Sequence, residues 1–266
     1  MTWTLEQGTL TIDGGTLPEN FSEHESIERV VVKEGVVSIG DFAFGFCDNL
    51  RQVELPESLV EIGMSAFVFC GALEKIKIPA GVTAIGQSAF CGCWSLKEII
   101  LPEKLLAIGA GAFSNCSGLR AIKIPGGVTE LGEKIFKGCE RLEKVELPDG
   151  LKKIGAAAFE NCESLTEIIL PASLVEVGED VFNFCANLQK IFCAVGCGFE
   201  KILREGNRAT LLPLIEPVVA QKNFTWQIDG NTLKIFSAEK LKRLTHDENA
   251  PWYGRRESIK KIIIEL

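Results

Sequence analysis

Cysteine is the residue type with the most chemical potential in this sequence, and its spacing is regular. The chain has 266 residues and ten cysteines. Seven of them recur every 23 residues, at Cys47, Cys70, Cys93, Cys116, Cys139, Cys162 and Cys185. Thiols form disulfides, ligate metal ions or act as nucleophiles. One fixed position in seven repeats instead predicts a ladder of small buried side chains, with disulfides or metal binding as the alternatives.

The other cysteines lack the spacing of a redox or metal motif. Cys91 and Cys93 are separated by one residue, whereas a redox pair has two intervening residues. Cys193 and Cys197 are separated by three, but both stand where earlier repeats carry apolar residues. These positions favour packing in the core over ligation of a metal.

Residues for acid–base or nucleophilic catalysis are scarce. The only histidines are His24 and His246, and neither a serine elbow nor a phosphate-binding loop is present. The glycine pair Gly109 and Gly111 is accidental, because Gly109 belongs to a repeated position. The sequence therefore predicts no catalytic residue, no metal site and no cofactor.

The cysteines belong to a 23-residue unit that predicts the architecture. Phenylalanine precedes each cysteine by three residues, at Phe44, Phe67, Phe90, Phe113, Phe136, Phe159 and Phe182. Leucine follows each cysteine by three residues, and the seven units contain no insertion or deletion. Such self-similarity is typical of a solenoid, in which each unit forms one coil and buries its apolar face against its neighbours.

One unit shows how a coil is built. Val53 and Leu55 alternate with polar residues, which is the pattern of a strand with one buried face. Pro56 ends that strand because it has no N–H group. Gly63 permits a tight bend, and the segment 64–70 has room only for short helical turns.

The repeated pattern LxxIxIPxxVxxIGxxAFxxCxx over residues 27–192 resembles the BspA-like leucine-rich repeat of bacterial and some protist surface proteins. The resemblance implies an α/β fold. It would be a right-handed leucine-rich-repeat solenoid with one continuous parallel sheet, short helical turns on the opposite side and small caps at both ends. It also implies display outside the cell and adhesion or protein binding, and it implies no catalytic residue.

The predicted organisation has four parts. They are an N-terminal cap (1–26), the solenoid of seven repeats plus a leading partial coil (27–197), a helical cap or linker (198–223) and a second cap-like segment (224–266). The last part is inferred because TWQIDGNTLKI at 225–235 matches TWTLEQGTLTI at 2–12. The chain is then either a fragment of a longer tandem protein or one whose second cap closes the structure.

Composition excludes several classes of partner. Asp and Glu number 36 against 28 Lys and Arg, for a net charge of −8, which argues against nucleic-acid binding. Apolar stretches are too short for membrane insertion, and the N-terminus does not encode a signal peptide. The resemblance favours the cell surface or secretion. Many free cysteines favour a reducing compartment, so the cytoplasm is the alternative.

The polar face of the sheet is the predicted place of recognition. One column of this face holds Glu54, Lys77, Ile100, Lys123, Glu146, Ile169 and Phe192. In one interpretation, charges such as Lys123 and Glu146 pair across strands and only solubilise the sheet. In the other, Ile100, Ile169 and Phe192 are hot spots for a protein ligand.

The leading functional hypothesis is a non-enzymatic protein-binding module, used for cell-surface adhesion or host-protein recognition. The alternative is a structural spacer or assembly unit within a longer tandem-repeat protein. Association through the C-terminal cap would belong to that alternative.

Overall fold

The computed structural model describes residues 2–14 and 24–194, together with the backbone of four strands between 215 and 265. The chain begins with an antiparallel hairpin whose turn uses Gln7 and Gly8, both with positive φ. A third strand then pairs in parallel with the hairpin and places Val30 opposite Leu10. A short 3-10 helix, His24–Ser26, precedes this strand. The strands are β1 (Thr2–Glu6), β2 (Thr9–Asp13) and β3 (Arg29–Val32).

Seven coils of 23 residues follow, numbered 1 to 7 by the phenylalanines from Phe44 to Phe182. Each coil contributes a two-residue strand and a longer strand. The short strands are β4 (Ser38–Ile39), β6 (Glu61–Ile62), β8 (Ala84–Ile85), β10 (Ala107–Ile108), β12 (Glu130–Leu131), β14 (Lys153–Ile154) and β16 (Glu176–Val177). The longer strands are β5 (Gln52–Glu54), β7 (Lys75–Lys77), β9 (Glu98–Ile100), β11 (Ala121–Lys123), β13 (Lys144–Glu146), β15 (Glu167–Leu170) and β17 (Lys190–Ala194).

The strands pair in parallel with a register of one repeat, as a solenoid requires. Ile76 stands opposite Ile99, and Ile122 stands opposite Val145. The ladders are nevertheless interrupted, since hydrogen bonds join β7 to β9 and β11 to β13 in separate two-stranded sheets. The prediction of one continuous sheet is therefore wrong in this detail. Strands of three residues, ended by a nearby proline, offer too few hydrogen bonds for an unbroken ladder.

The short helical turns predicted opposite the sheet are also wrong. Within residues 24–194 the structure contains no α-helix, and the segments between the short strand and the cysteine are stacked turns. Their N–H groups bond forward to the next coil: Phe67 donates to the carbonyl of Ala89, and Phe69 to that of Cys91, both at 2.7 Å. Ser65 and Phe69 have φ values of 53° and 57°. Such left-handed residues interrupt a helix, and the N–H groups already have partners in the neighbouring coil.

The core is a column of phenylalanine rings inside these turns. Phe67 and Phe90 stack with centroids 5.2 Å apart and planes within 2°, and Phe113 and Phe136 stack at 5.7 Å. The column runs without a gap from Phe44 to Phe182, and its first six rings are fully buried. Ring stacking adds to the apolar burial between successive coils.

Beyond the solenoid the sheet continues through four more strands, β18 (Ile215–Gln221), β19 (Phe224–Asp229), β20 (Thr232–Ser237) and β21 (Lys261–Glu265). Their order after β15 and β17 is β18-β19-β20-β21. The pairing repeats that of β1 to β3, since Leu233 stands opposite Ile262 as Leu10 stands opposite Val30. Of the helical cap or linker predicted at 198–223, the part at 215–221 is strand, and 198–214 lies outside the described residues.

Candidate protein-binding site

The structure places six of the seven predicted face residues on the exposed side of the long strands. They are Glu54, Lys77, Ile100, Lys123, Glu146 and Ile169. Strand alternation explains this, because the middle residue of each three-residue strand points into the core or toward it.

Phe192 does not belong to this exposed set, so the expectation that its ring is a surface hot spot is wrong. The side chain is only 4% exposed. The ammonium group of Lys190 lies 5.9 Å from the ring centroid, and β18 pairs alongside the strand at Phe192. The additional strand makes β17 an internal strand, which the repeat pattern alone did not reveal.

Two grooves indent the strand face, each beside an exposed isoleucine. The first has a volume of about 520 Å³, spans β5, β7 and β9, and is lined in part by Ile100. The second has a volume of about 440 Å³, spans β13 and β15, and is lined in part by Ile169. Both include a boundary at which the ladder is interrupted, β5 to β7 and β13 to β15. The sequence predicted a column of residues but not these grooves, since each spans a break in strand pairing that the repeat pattern does not reveal.

The two grooves differ in charge. The β5–β9 groove has three basic and two acidic lining residues, for a net charge of +1: Arg51, Lys75, Lys77, Glu54 and Glu98. The β13–β15 groove has one basic and four acidic lining residues, for a net charge of −3: Lys144, Glu143, Glu146, Asp149 and Glu167. Ile100 and Ile169 are 57% and 52% exposed, so each groove presents an apolar side chain among charges.

The cross-strand ion pair predicted between Lys123 and Glu146 does not form. Lys123 lies next to Glu146 in register, yet its Nζ atom bonds Glu103 at 3.0 Å. Lys144 bonds Glu146 in its own strand at 2.6 Å, and this hydrogen bond raises the pKa of Lys144. Glu54 pairs with Arg29. These pairs are exposed and contribute little stability, so the face charges remain available to a partner.

The repeated cysteines lie beside the phenylalanine column and bond to it. Each thiol from Cys70 to Cys185 donates to the carbonyl oxygen of the phenylalanine 26 residues earlier; Cys139, for example, bonds Phe113 at 3.1 Å. Burial raises the pKa of Cys139 to about 12 and that of Cys185 to about 11. These thiols stay protonated at neutral pH, which suits packing and disfavours nucleophilic attack or metal ligation.

Among the residues that the structure describes, the remaining chemical candidates form no assembled site. Cys91 is partly exposed, and burial raises the pKa of its thiol. Cys193 is buried, while Cys197 and His246 lie outside the described residues. In the described part of the chain, no three His, Cys, Asp or Glu side chains are grouped to hold a metal ion. No helix there is both long enough and apolar enough to cross a bilayer.

A row of exposed aromatic side chains on the outside of the turns was not predicted from the sequence. This aromatic row consists of Phe46, Phe69 and Trp94, which are 54%, 39% and 48% exposed. Phe46 and Phe69 stack at 5.5 Å, and Trp94 tilts against Phe69 at 6.5 Å. The signal was present in the sequence, since four of the seven coils carry glycine or asparagine at the position of Phe46 and Phe69.

A family model described as the BspA type leucine rich repeat region matches the chain in six copies over residues 17–142 and 107–202. The chain belongs to this family. The repeats, their one-coil register and the stacked turns of this BspA-type protein all lie within the matched residues. A comparison with curated proteins returns no match.

Several solved structures are similar to this chain. A leucine-rich-repeat protein of T. pallidum, TpLRR, shares 29% identity at a TM-score of 0.52, over 62% of this chain and 87% of that one. A leucine-rich repeat protein from Bacteroides ovatus shares 24% identity at a TM-score of 0.52, over 74% and 73% of the two chains. A leucine-rich cell surface protein from Faecalibacterium prausnitzii shares 29% identity at a TM-score of 0.38, over 64% and 60%. These neighbours are all bacterial leucine-rich proteins.

Proposed function

We propose that this BspA-type protein is a non-enzymatic protein-binding module whose strand face receives the partner. The observation that carries the proposal is the pair of grooves, each with an exposed isoleucine. Apolar side chains framed by charges resemble the centre and rim of a protein interface. Family membership supports a role in cell-surface adhesion or recognition of a host protein.

The spacing and charge of the grooves define what the partner must offer. Ile100 and Ile169 are three coils apart, which corresponds to roughly 15 Å at the usual spacing of parallel strands. A single extended segment can cross both grooves. Its acidic residues would face the β5–β9 groove and its basic residues the β13–β15 groove, whose net charges are +1 and −3.

The test is binding to a panel of immobilised extracellular matrix and host-surface proteins, measured by surface plasmon resonance. The double variant Ile100→Ser/Ile169→Ser should lose about tenfold or more in affinity, as expected for hot-spot residues. The matched control is Leu106→Ser/Val175→Ser, because both residues are at least as exposed as the two isoleucines but lie outside the grooves. Equal affinity in the two double variants would remove the strand face as the binding site.

A second candidate function, that of a spacer or assembly unit, is favoured by the C-terminal strands. β19, β20 and β21 repeat the register of β1, β2 and β3, so the cap-like segment at 224–266 has the pairing that precedes coil 1. Such a segment would join this array to another array or chain. Sedimentation of the full chain tests self-assembly, and a monomer mass across a hundredfold range of concentration would argue against it.

A further inference from the structure

The outer side of the turns carries phenylalanine at a position where the fold disfavours it. This position has a left-handed backbone in every coil, and its occupants are Phe46, Phe69, Gly92, Asn115, Gly138, Asn161 and Phe184. Glycine and asparagine tolerate that backbone, whereas a bulky residue is strained there. The fold does not require Phe46 or Phe69, since glycine and asparagine serve in other coils. Backbone strain that does not contribute to the stability of the fold is characteristic of functional sites.

Neighbouring glycines let two rings of the aromatic row pack against the backbone. Phe69 lies against Gly92, and Trp94 lies against Gly71, so closely that a Cβ atom on either glycine would overlap the ring. Each ring therefore rests on the backbone of an adjacent coil. Side chains that are already fixed lose little conformational entropy when a partner binds. The aromatic row is therefore preorganised for binding.

The charges around the row are acidic. The turns of coils 1 to 3 span 41–49, 64–72 and 87–95, and they contain Asp41 and Asp48 but no Lys or Arg. Neither aspartate forms a salt bridge within residues 24–194, and Asp41 accepts a hydrogen bond from the backbone N–H of Met64 at 2.7 Å through one of its two carboxylate oxygens. The same nine residues of coil 5, at 133–141, carry five charged side chains of both signs.

We propose that the aromatic row, with Asp41 and Asp48, is a second docking surface, separate from the strand face. Its partner is a protein segment that presents aliphatic or aromatic side chains to the rings and Lys or Arg to the aspartates. Apolar contact supplies the affinity, and charge complementarity sets the orientation and excludes acidic competitors.

Two other occupants fit the row less well. A sugar ring stacks on an open aromatic face, but Phe46 and Phe69 stack on each other at 5.5 Å, so that one face of each ring is already covered. A second copy of this chain, docked about a twofold axis, would bring Asp41 and Asp48 against their own equivalents. Like charges at such an interface oppose association.

The test uses the full chain and a phage-displayed random peptide library. Peptides are selected on the wild type and counter-selected on the triple variant Phe46→Asn/Phe69→Asn/Trp94→Ser. This variant gives coils 1 to 3 the residues that coil 4 carries at Asn115 and Ser117. It should retain or raise the unfolding midpoint, because two strained residues are relieved. Loss of binding would then not be a consequence of unfolding.

The expected result is a set of peptides that combine aromatic or aliphatic residues with Lys or Arg. Synthetic copies should bind the triple variant at least tenfold more weakly than the wild type, and binding should weaken as salt is added. The matched control Phe184→Asn changes the same repeat position in coil 7, and it should leave binding unchanged. Asp48→Asn should weaken binding, whereas Glu140→Gln, at the equivalent position of coil 5, should not.

Several outcomes would overturn the proposal. Peptides without basic residues, or peptides that bind the triple variant as well as the wild type, would contradict it. So would glycan-array binding that disappears in the triple variant, or a concentration-dependent mass that the triple variant abolishes. The Ile100→Ser/Ile169→Ser variant should bind the selected peptides with unchanged affinity. The proposals for the strand face and for the aromatic row are therefore tested independently of each other.

Discussion

Two columns of phenylalanine run side by side along the turns, and they differ in how many coils carry them and in their burial. The inner column occurs in all seven coils, and Phe67 within it is fully buried. The outer column is two residues further along each turn and contains phenylalanine only in coils 1, 2 and 7, where Phe69 is 39% exposed. A residue repeated in every coil is required for stacking. A residue found in some coils and strained in all of them needs an explanation outside the fold.

Truncating the inner column should produce the largest effect. Phe113→Ala removes a buried ring that is stacked between Phe90 and Phe136 at 5.7 Å on each side. We expect a loss of about 3–5 kcal/mol in the free energy of unfolding. Urea denaturation measures it. Phe184→Ala in the outer column should cost less than about 1 kcal/mol. Equal losses of unfolding free energy in the two variants would contradict the idea that only the inner column stabilises the fold.

Removing a ladder thiol should have an intermediate effect. Cys139→Ala deletes a buried sulfur and its hydrogen bond to the carbonyl of Phe113. The expected cost is about 1–2 kcal/mol at pH 7, from lost packing and one hydrogen bond. The same denaturation assay measures it. The control is Cys91→Ala, at a partly exposed position outside the cysteine ladder. A larger loss of stability in this control would show that the thiol that matters for stability is not one of the ladder cysteines.

Alkaline pH should reduce the stability that the buried ladder cysteines contribute. Burial raises the pKa of Cys139 from an ordinary value of 9.0 to about 12. The folded protein therefore keeps a proton that the unfolded chain loses, so this stabilisation is complete below pH 9 and declines up to pH 12. The decline is about 1.4 kcal/mol per pH unit for each thiol. The cost of Cys139→Ala should fall by about that amount between pH 8 and about pH 10, and a constant cost would contradict the burial.

Changing the outer column should have the smallest effect and the opposite sign. Phe184→Asn replaces a 66% exposed ring at a φ of 58° with a residue that tolerates this backbone. We expect a gain of about 1 kcal/mol. Phe69→Asn should gain less, because it also loses the stack with Phe46. Thermal unfolding would detect both, and destabilisation by either variant would mean that the outer column also supports the fold.

Much of the fold could be predicted because a fixed repeat forces a fixed register. Once Phe113 and Cys116 recur at 23 residues, their equivalents must stack, and strand alternation exposes Ile100 and buries Ile99. The turns were mispredicted because a short apolar segment looks the same for a helix and for stacked turns. Only the forward bonds of Phe67 and Phe69 to the next coil distinguish the two.

The candidate site was less predictable, because it depends on contacts between coils. Lys123 was expected to pair with Glu146, but a long flexible side chain can reach several carboxylates, and it bonds Glu103. Phe192 was expected on the surface, but a strand from beyond the array lies beside it. Repeat patterns define which residues are equivalent, not what the chain places next to the final coil.

The forward hydrogen bonds of the turns also align the peptide dipoles on that side of the solenoid. In coil after coil, N–H groups such as those of Phe44, Phe67 and Phe90 point toward the C-terminal end, and the carbonyls that accept them point back. Aligned peptide dipoles add, as they do along an α-helix. The wall of turns is thus polarised along its length, with its negative pole at coil 1, where Asp41 and Asp48 stand. A cation that approaches the first coil is attracted by the backbone as well as by the carboxylates.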